Sequence, residues 1–297
     1  MSVWDENVGL KTDDVIRLVE EQFNMKIKEI IFIASGWDND VYIINDKFLF
    51  RFPRRDIANK LIKTEGKVLP IIKQYVSVPF PTPMFFGSPT SYYPYNFLGY
   101  NYSHDFNIDE IDAINGKDSI SILATFLSQL HSVPIEKVGN IVGYDDLDRL
   151  NIKKRREILV QNTDILKRTS LYNTSRLESY INNLTDIRLD DEKTLVHGDM
   201  HIKNLLYSSN GVVSSVIDFG DVHIGHRAND ISIIYSIIPV QSRKSFFEKY
   251  GEVSLEALEF ARFKAIFSNT ILFSHAYNLG NTILVKKIIT SLDNALS

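Results

Sequence analysis

Two acids and an amide stand close together in His197-Gly198-Asp199-Met200-His201-Ile202-Lys203-Asn204 and in the Ile217-Asp218-Phe219-Gly220 that follows. Moving a phosphoryl group onto a hydroxyl needs a carboxylate that orients the attacking oxygen and takes its proton. It also needs oxygen ligands for the magnesium ion that bridges the phosphates. Asp199 suits the catalytic base, and Asn204 with Asp218 suits the metal, because amide and carboxylate oxygens are hard donors for a hard cation. Between them the chain reads as a hairpin: Leu205 to Tyr207, a Ser209-Asn210-Gly211 turn, then Val212 to Ile217. A hairpin of that length would set the two ligands on loops at its base.

The elements that must position these groups differ between the two halves of the chain. Thr12 to Phe23 places Val15, Leu18, Val19 and Phe23 at helical spacing, with Thr12 as the expected N-cap. Three apolar runs follow, at Ile27 to Ala34, Asp40 to Ile44 and Lys47 to Phe52, and predict an antiparallel meander. Ile57 to Gln74 predicts a helix carrying Glu65; the PFPTP of residues 79–83 must be extended, because proline fixes φ; and Tyr95 to Tyr102 predicts a further strand. Beyond residue 103 helical patterns dominate, including Ser119 to His131 and Leu147 to about Arg168. The expectation is two packed lobes around a shared cleft, 1–102 for nucleotide and 103–297 for the catalytic loop and the acceptor, joined by a hinge strand near Asn101 to Asp105.

His197, Asp199, Asn204, Asp218, Phe219 and Gly220 fall at the positions of H-R-D-x-x-x-x-N and D-F-G, so the chain resembles the protein kinase superfamily. Gly198 in place of the loop arginine is similar to the aminoglycoside and macrolide phosphotransferase branch. The resemblance implies an α+β, protein-kinase-like fold, with a small antiparallel sheet lobe and a larger helical lobe. It also implies ATP or GTP and magnesium as cofactors, and activity without activation-loop phosphorylation. On the nucleotide side it implies Arg51 where the family usually has lysine, with Arg54 or Arg55 as substitutes, and Glu65 as its partner. Ser35, Gly36 and Asn39 in the Ala34 to Asp40 loop would cover the phosphates. Tyr100, Asn101 and Tyr102 would form the hinge beside the nucleobase, although their side chains read equally well as strand packing. LATFLSQLHSVP, residues 123–134, looks like a helix shared with antibiotic and choline kinases; its His131 is expected to be structural, and Asp230 resembles an aspartate that could brace the catalytic loop.

For the acceptor, Asp221, Asp230 and Glu256, with Glu248, Glu252 and Glu259, would suit a polycationic aminoglycoside. Phe260, Phe263, Phe267, Phe273 and Tyr277 would suit an apolar macrolide, or would simply pack between helices. FRFPRR and SHAYNLGN also look macrolide-kinase-like. An aminoglycoside or related amino sugar is placed slightly ahead, with Asp221, Asp230, Glu256 and Phe263 as the acceptor residues.

Other classes fit less well. The absence of cysteine excludes a disulfide framework and thiolate chemistry, and suits a reducing cytoplasm. His197, His201, His223 and His226 lack zinc-ligand spacing. A net charge of −4 gives no footprint for nucleic acid, and Lys153 to Arg156 reads as a solvated helix face. No run is long enough to span a membrane, the first residues lack a signal-peptide pattern, and nothing calls for an obligatory protein partner. A non-catalytic kinase-like module would not need Asp199, Asn204 and Asp218 together. A protein kinase would need a longer segment than Asp221 to Ile231 after D-F-G. A housekeeping metabolite kinase stays as a further alternative.

Overall fold

Short apolar runs after position 29 fold into a meander of β1 (Ile30–Ser35), β2 (Asn39–Ile44) and β3 (Phe48–Pro53) in the computed structural model, which describes residues 8–35, 38–185 and 188–297. β4 (Pro83–Gly87) and β5 (Phe97–Asn101) complete an antiparallel sheet in the order β1-β2-β3-β5-β4. Arg51 of β3 lies opposite Val41 and Leu98, at the centre of that sheet. Two helices cover it. α1 (Thr12–Phe23) buries Val15, Leu18 and Val19, and α2 (Asp56–Ile72) buries Ala58, Ile62, Val68 and Leu69. Thr12 is the first helical residue rather than the cap: Lys11 holds the extended cap position, and its N–H donates to the Asp14 carboxylate at 3.2 Å. The interior is aromatic, with Phe50, Phe52, Tyr93 and Phe97 fully buried and Phe52 stacked on Phe97 at 4.8 Å. Rings of this size supply most of the apolar burial a small sheet needs.

By its internal contacts the chain divides into two compact units. The first holds the sheet, from residues up to Gln74 together with Phe80–His104; the second holds Tyr75–Pro79 and Asp105–Ser297. The stretch 75–79 joins the second unit through the Ser77 N–H, which donates to Gln129 Oε1 at 2.9 Å, and the Pro79 carbonyl, which accepts from Ser215 Oγ at 3.0 Å.

The second unit is built around helices: α3 (Gly116–His131), α4 (Ile135–Val138), α5 (Ile152–Thr169), α6 (Ser175–Asn182), α7 (Ala228–Ile237), α8 (Arg243–Tyr250), α9 (Leu255–Asn278) and α10 (Thr282–Ala295). α5 begins at Ile152 rather than Leu147. The Asn151 side chain accepts from the Lys154 N–H at 2.8 Å and so fixes the start of the helix. α7 is buried along its whole length, and α9 packs on α7, α5 and α10. Two small ribbons carry the loops of interest: β6 (Thr194–Val196) pairs with β9 (His223–Gly225), and β7 (Leu205–Tyr207) with β8 (Val213–Val216). The hairpin predicted from the sequence is thus present, and its base is closed by the Ile217 N–H donating to the Asn204 carbonyl at 2.9 Å.

Candidate active site

β6 ends at Val196, and the chain turns at once through His197, Gly198 and Asp199. Asp230, in the first turn of α7, holds that turn by accepting from the N–H groups of His197 (2.7 Å) and Gly198 (2.9 Å), and is itself held by Nε2 of His131 (3.0 Å). Asp230 is fully buried. Burial opposes its charge, but the bonds and charges of His131 and His197 prevail and hold the carboxyl below its usual range. His131 in turn bonds Tyr250 through Nδ1 at 2.7 Å. Both residues are therefore part of the scaffold. Asp230 cannot touch an acceptor, which corrects its expected substrate role; its bracing role is what the bonds show.

His197 fixes the second link. Its Nε2 donates to the Ile217 carbonyl at 3.0 Å, and its ring lies 4.7 Å from that of Phe219, which is itself buried against Phe126. The catalytic loop and the Asp218 loop are thereby locked together. Gly198 has a specific cause: its φ is +85°, and a Cβ there would come within 2.4 Å of the Asp221 carbonyl and 2.6 Å of the His223 ring. Gly225 presses on the other side of the same ring. His223 donates from Nδ1 to the Asp221 carbonyl at 2.7 Å, and burial pulls its pKa down, so the ring stays neutral.

Asp199 is half-buried. One oxygen, Oδ2, takes Nδ2 of Asn204 at 3.1 Å and Nε2 of His201 at 3.2 Å. The other, Oδ1, has no hydrogen bond among the described residues and is the atom available to an incoming hydroxyl. Burial disfavours the carboxylate, yet the charges of His201, Lys264 and His197 outweigh it, so Asp199 is held well below the usual carboxylate range and is ionised at neutral pH. Asn204 also donates to the Asp199 carbonyl at 2.9 Å. With its nitrogen committed on both bonds, the amide oxygen is the atom it can give a cation. Asp218 is held at φ 64° and ψ 73°, a left-handed conformation that costs a non-glycine residue about 1–2 kcal/mol. An amide oxygen and a carboxylate on adjacent loops are a donor set that fits magnesium.

In the sheet unit, the structure brings together Arg51, Glu65 and Tyr100. Arg51 Nη1 donates to both Glu65 oxygens, at 3.0 and 2.9 Å, and the Tyr100 hydroxyl donates to Glu65 Oε1 at 2.8 Å. Glu65 is buried, so losing one partner of this pair would cost about 3–5 kcal/mol. Tyr100 is buried as well, and burial with the adjacent Glu65 charge raises its pKa well above the usual value. Its side chain therefore packs within the sheet unit and supports Glu65, the strand-packing alternative expected for it. Tyr102 pairs through its N–H with the Lys47 carbonyl at 2.8 Å. Arg55 holds Asp38 at 2.8 Å and Arg54 lies 3.7 Å from Asp40, so neither stands in for Arg51 at the sheet centre. Ser35 closes β1 and Asn39 opens β2, with the Asn39 side-chain oxygen buried and unbonded among the described residues. Gly36 and Trp37 lie outside the described residues.

The acceptor expectations divide. Asp221 is partly exposed and held by Arg149, which also bonds Asp145 at 2.7 Å. Glu256 is exposed in the first turn of α9. Glu259 lines a cavity of about 200 Å³ with Tyr180 and Arg262 that includes none of the catalytic groups. Phe260, Phe263, Phe267 and Phe273 are buried between helices, so they are core; Phe263 is withdrawn as a substrate residue, and only Tyr277 is exposed. The basic run is not a plain solvated face either. Arg155 is partly buried, bonds the Leu147 carbonyl at 2.8 Å and lies 5.3 Å over the Phe267 ring. Lys264 went unnoticed in the sequence. The signal available was a lysine set between Phe263 and the Ala265-Ile266-Phe267 run.

Asp190, Glu192 and His226 also converge. His226 Nδ1 accepts from the Ala228 N–H at 3.1 Å, so its Nε2 carries the proton and donates to Asp190 at 3.1 Å, while Arg227 takes Glu192. That is a hydrogen-bonded ion network, with no lone pair on His226 left for a metal.

A five-stranded antiparallel sheet unit, and a helical unit that carries a carboxylate, an amide and a second carboxylate on linked loops, are the parts of the protein-kinase-like fold of small-molecule phosphotransferases, the fold class expected from the sequence. The phosphotransferase enzyme family model matches residues 29–264, and the chain belongs to that family. Aminoglycoside 3'-phosphotransferases of Escherichia coli and Salmonella typhimurium are 26% and 25% identical over 142 and 147 residues, each match covering 46% of this chain. The chain thus spans about half (51%) of the length of these curated relatives. Among solved structures, the GDP complex of an aminoglycoside 2'-phosphotransferase has a TM-score of 0.66 at 19% identity, covering 97% of this chain and 99% of that one. A spectinomycin phosphotransferase with ADP and spectinomycin has a TM-score of 0.67 at 16% identity, covering 97% and 98%. A macrolide 2'-phosphotransferase has a TM-score of 0.59 at 16% identity, covering 95% and 98%. At these identities the structural likeness speaks for the fold.

Proposed function

We propose that this chain transfers the terminal phosphoryl group of ATP or GTP to a hydroxyl of a small-molecule antibiotic, with an aminoglycoside slightly ahead of a macrolide. The observation that carries the reading is Asp199: ionised, anchored through one oxygen by Asn204 and His201, and presenting the other. A base held in this way orients the acceptor hydroxyl through Oδ1 and takes its proton as the new P–O bond forms. Asn204 and Asp218 would hold magnesium, which when bound neutralises phosphate charge. Arg51, fixed by Glu65, is the cation for the phosphates at the family's lysine position. Ser35, Gly36 and Asn39 are the proposed phosphate loop, and the backbone near Tyr102 the proposed nucleobase contact. Asp221 and Glu256 remain the proposed acceptor acids. No helix among the described residues is long and apolar enough to cross a membrane, and a cytoplasmic site of action stays part of this proposal.

The macrolide reading keeps its support from macrolide phosphotransferases among the structural relatives. It loses the aromatic wall, whose phenylalanines are buried core. The test is incubation with magnesium, ATP or GTP, and a panel of aminoglycosides and macrolides, followed by mass spectrometry for one added phosphoryl group, with Asp199→Asn as control. Product on one drug class, absent with the variant, supports the reading. Nucleotide binding with no product from any drug moves it to a metabolite kinase, and absence of nucleotide binding overturns it.

A further inference from the structure

Helix α9 is packed by Phe260, Phe263, Ile266, Phe267 and Phe273, yet it carries a lysine among them. Lys264 is only 7% exposed, and the described residues give its ammonium neither a hydrogen bond nor an ion pair within 4.0 Å. Taking an ammonium out of water without an acceptor is unfavourable, and burial pulls the pKa of this one down. Methionine would fill the space without that cost, so packing does not account for lysine here. The strongest attraction on Lys264 comes from Asp199, with Asp221 weaker, while Arg149 and Arg155 repel it.

Arg155 shows the same anomaly from α5. Its guanidinium reaches the Leu147 carbonyl through Nη2, but its Nε is buried with no acceptor. Arg149 is different, because Asp145 and Asp221 both hold it. Lys264, drawn most strongly to the proposed base, and Arg155, whose charge reaches Lys264, thus keep N–H groups that the described residues leave unused. Such donors call for a ligand oxygen and disfavour a ligand cation.

Resting on the phosphotransferase reading above, we infer that Lys264 and Arg155 determine acceptor specificity, and that the acceptor is a polyhydroxy compound whose reacting hydroxyl neighbours another oxygen rather than an ammonium. The reacting hydroxyl donates to Asp199 while the neighbouring oxygen accepts from Lys264. Neither cation moves a proton; their loss acts on acceptor binding, and that of Lys264 reaches the chemical step only through the basicity of Asp199.

The experiment is steady-state kinetics of the full chain and of Lys264→Met, Lys264→Arg and Arg155→Met with magnesium nucleotide. The acceptors are those phosphorylated in the drug panel, plus matched amino sugars bearing a hydroxyl or an amino group beside the reacting carbon. Expected for Lys264→Met is an acceptor KM raised about tenfold or more with an unaltered nucleotide KM, and for Arg155→Met a rise in acceptor KM in the same direction. Lys264→Arg should regain most of the loss. The wild-type chain should prefer the hydroxyl-bearing acceptor by about tenfold, and Lys264→Met should erase that preference. Equal acceptor KM and equal preference in wild type and Lys264→Met would overturn the inference, as would a wild-type preference for the amino-bearing acceptor. A wild-type chain that binds magnesium nucleotide but phosphorylates nothing would overturn the phosphotransferase reading itself, and this inference with it.

Discussion

The base and the cations near it are built on opposite terms. Around Asp199 the strategic groups are partnered: Asp230 takes three hydrogen bonds, His197 ties two loops together, and Asn204 spends its nitrogen on Asp199. Lys264, by contrast, is a buried residue whose ammonium has no hydrogen bond or ion pair among the described residues, and Arg155, whose charge reaches it, buries an Nε with no acceptor. Hydrogen bonds from several elements onto one turn fix its geometry in advance, which is what proton abstraction needs. Unsatisfied donors mark the side where a ligand completes the network.

The contrast sharpens under substitution. Among the groups around the base, the largest effect is expected from Asp218→Ala, which removes a proposed magnesium ligand while leaving the brace intact: transfer should fall by on the order of a thousandfold, measured as kcat at saturating nucleotide. Partial recovery at high magnesium would be consistent; unchanged kcat would break the assignment. Next comes Asp230→Asn, which leaves the His197 and Gly198 N–H groups and His131 with a poorer acceptor. A loss of about 2–3 kcal/mol in denaturant unfolding is expected. The folded-state pKa of Asp230 is lowered, so its contribution is complete above the unfolded carboxylate value of about 4 and is lost as pH falls through the folded value. The stability gap between wild type and variant should therefore be flat from pH 8 to about 4 and close below it. The smallest effect, with opposite sign, is expected from Lys264→Met, which removes a buried unpaired ammonium. The melting temperature should stay level or rise by about 2–4 °C for each kcal/mol recovered. A fall would mean that the lysine stabilises the fold, and would blur the distinction between the two sides.

How much of this was legible depended on how local the information is. Asp199, Asn204 and Asp218 stood out because the loop–hairpin–loop keeps them within 20 residues, and the fold class followed from that segment. Arg51 and Glu65 were legible through the resemblance, and they do meet. Gly198 was read as a family feature, whereas its cause is the ring of His223, which comes back beside it only when β9 pairs with β6. The phenylalanines of α9 show the limit of periodicity. Spacing reveals an apolar face but not whether another helix covers it, and α7, α5 and α10 cover this one. Arg155 and Lys264 were hidden for the mirrored reason: a charge in a sequence reads as solvated until the packing around it is known.

The most direct test of the central claim compares wild type and Asp199→Asn in one titration and one turnover experiment, with the phosphorylated acceptor as readout. The account predicts nucleotide affinity equal within about twofold, because Asp199 acts on the acceptor, together with a loss of transfer of about 10²–10⁴-fold. Transfer by Asp199→Asn within tenfold of wild type would contradict it.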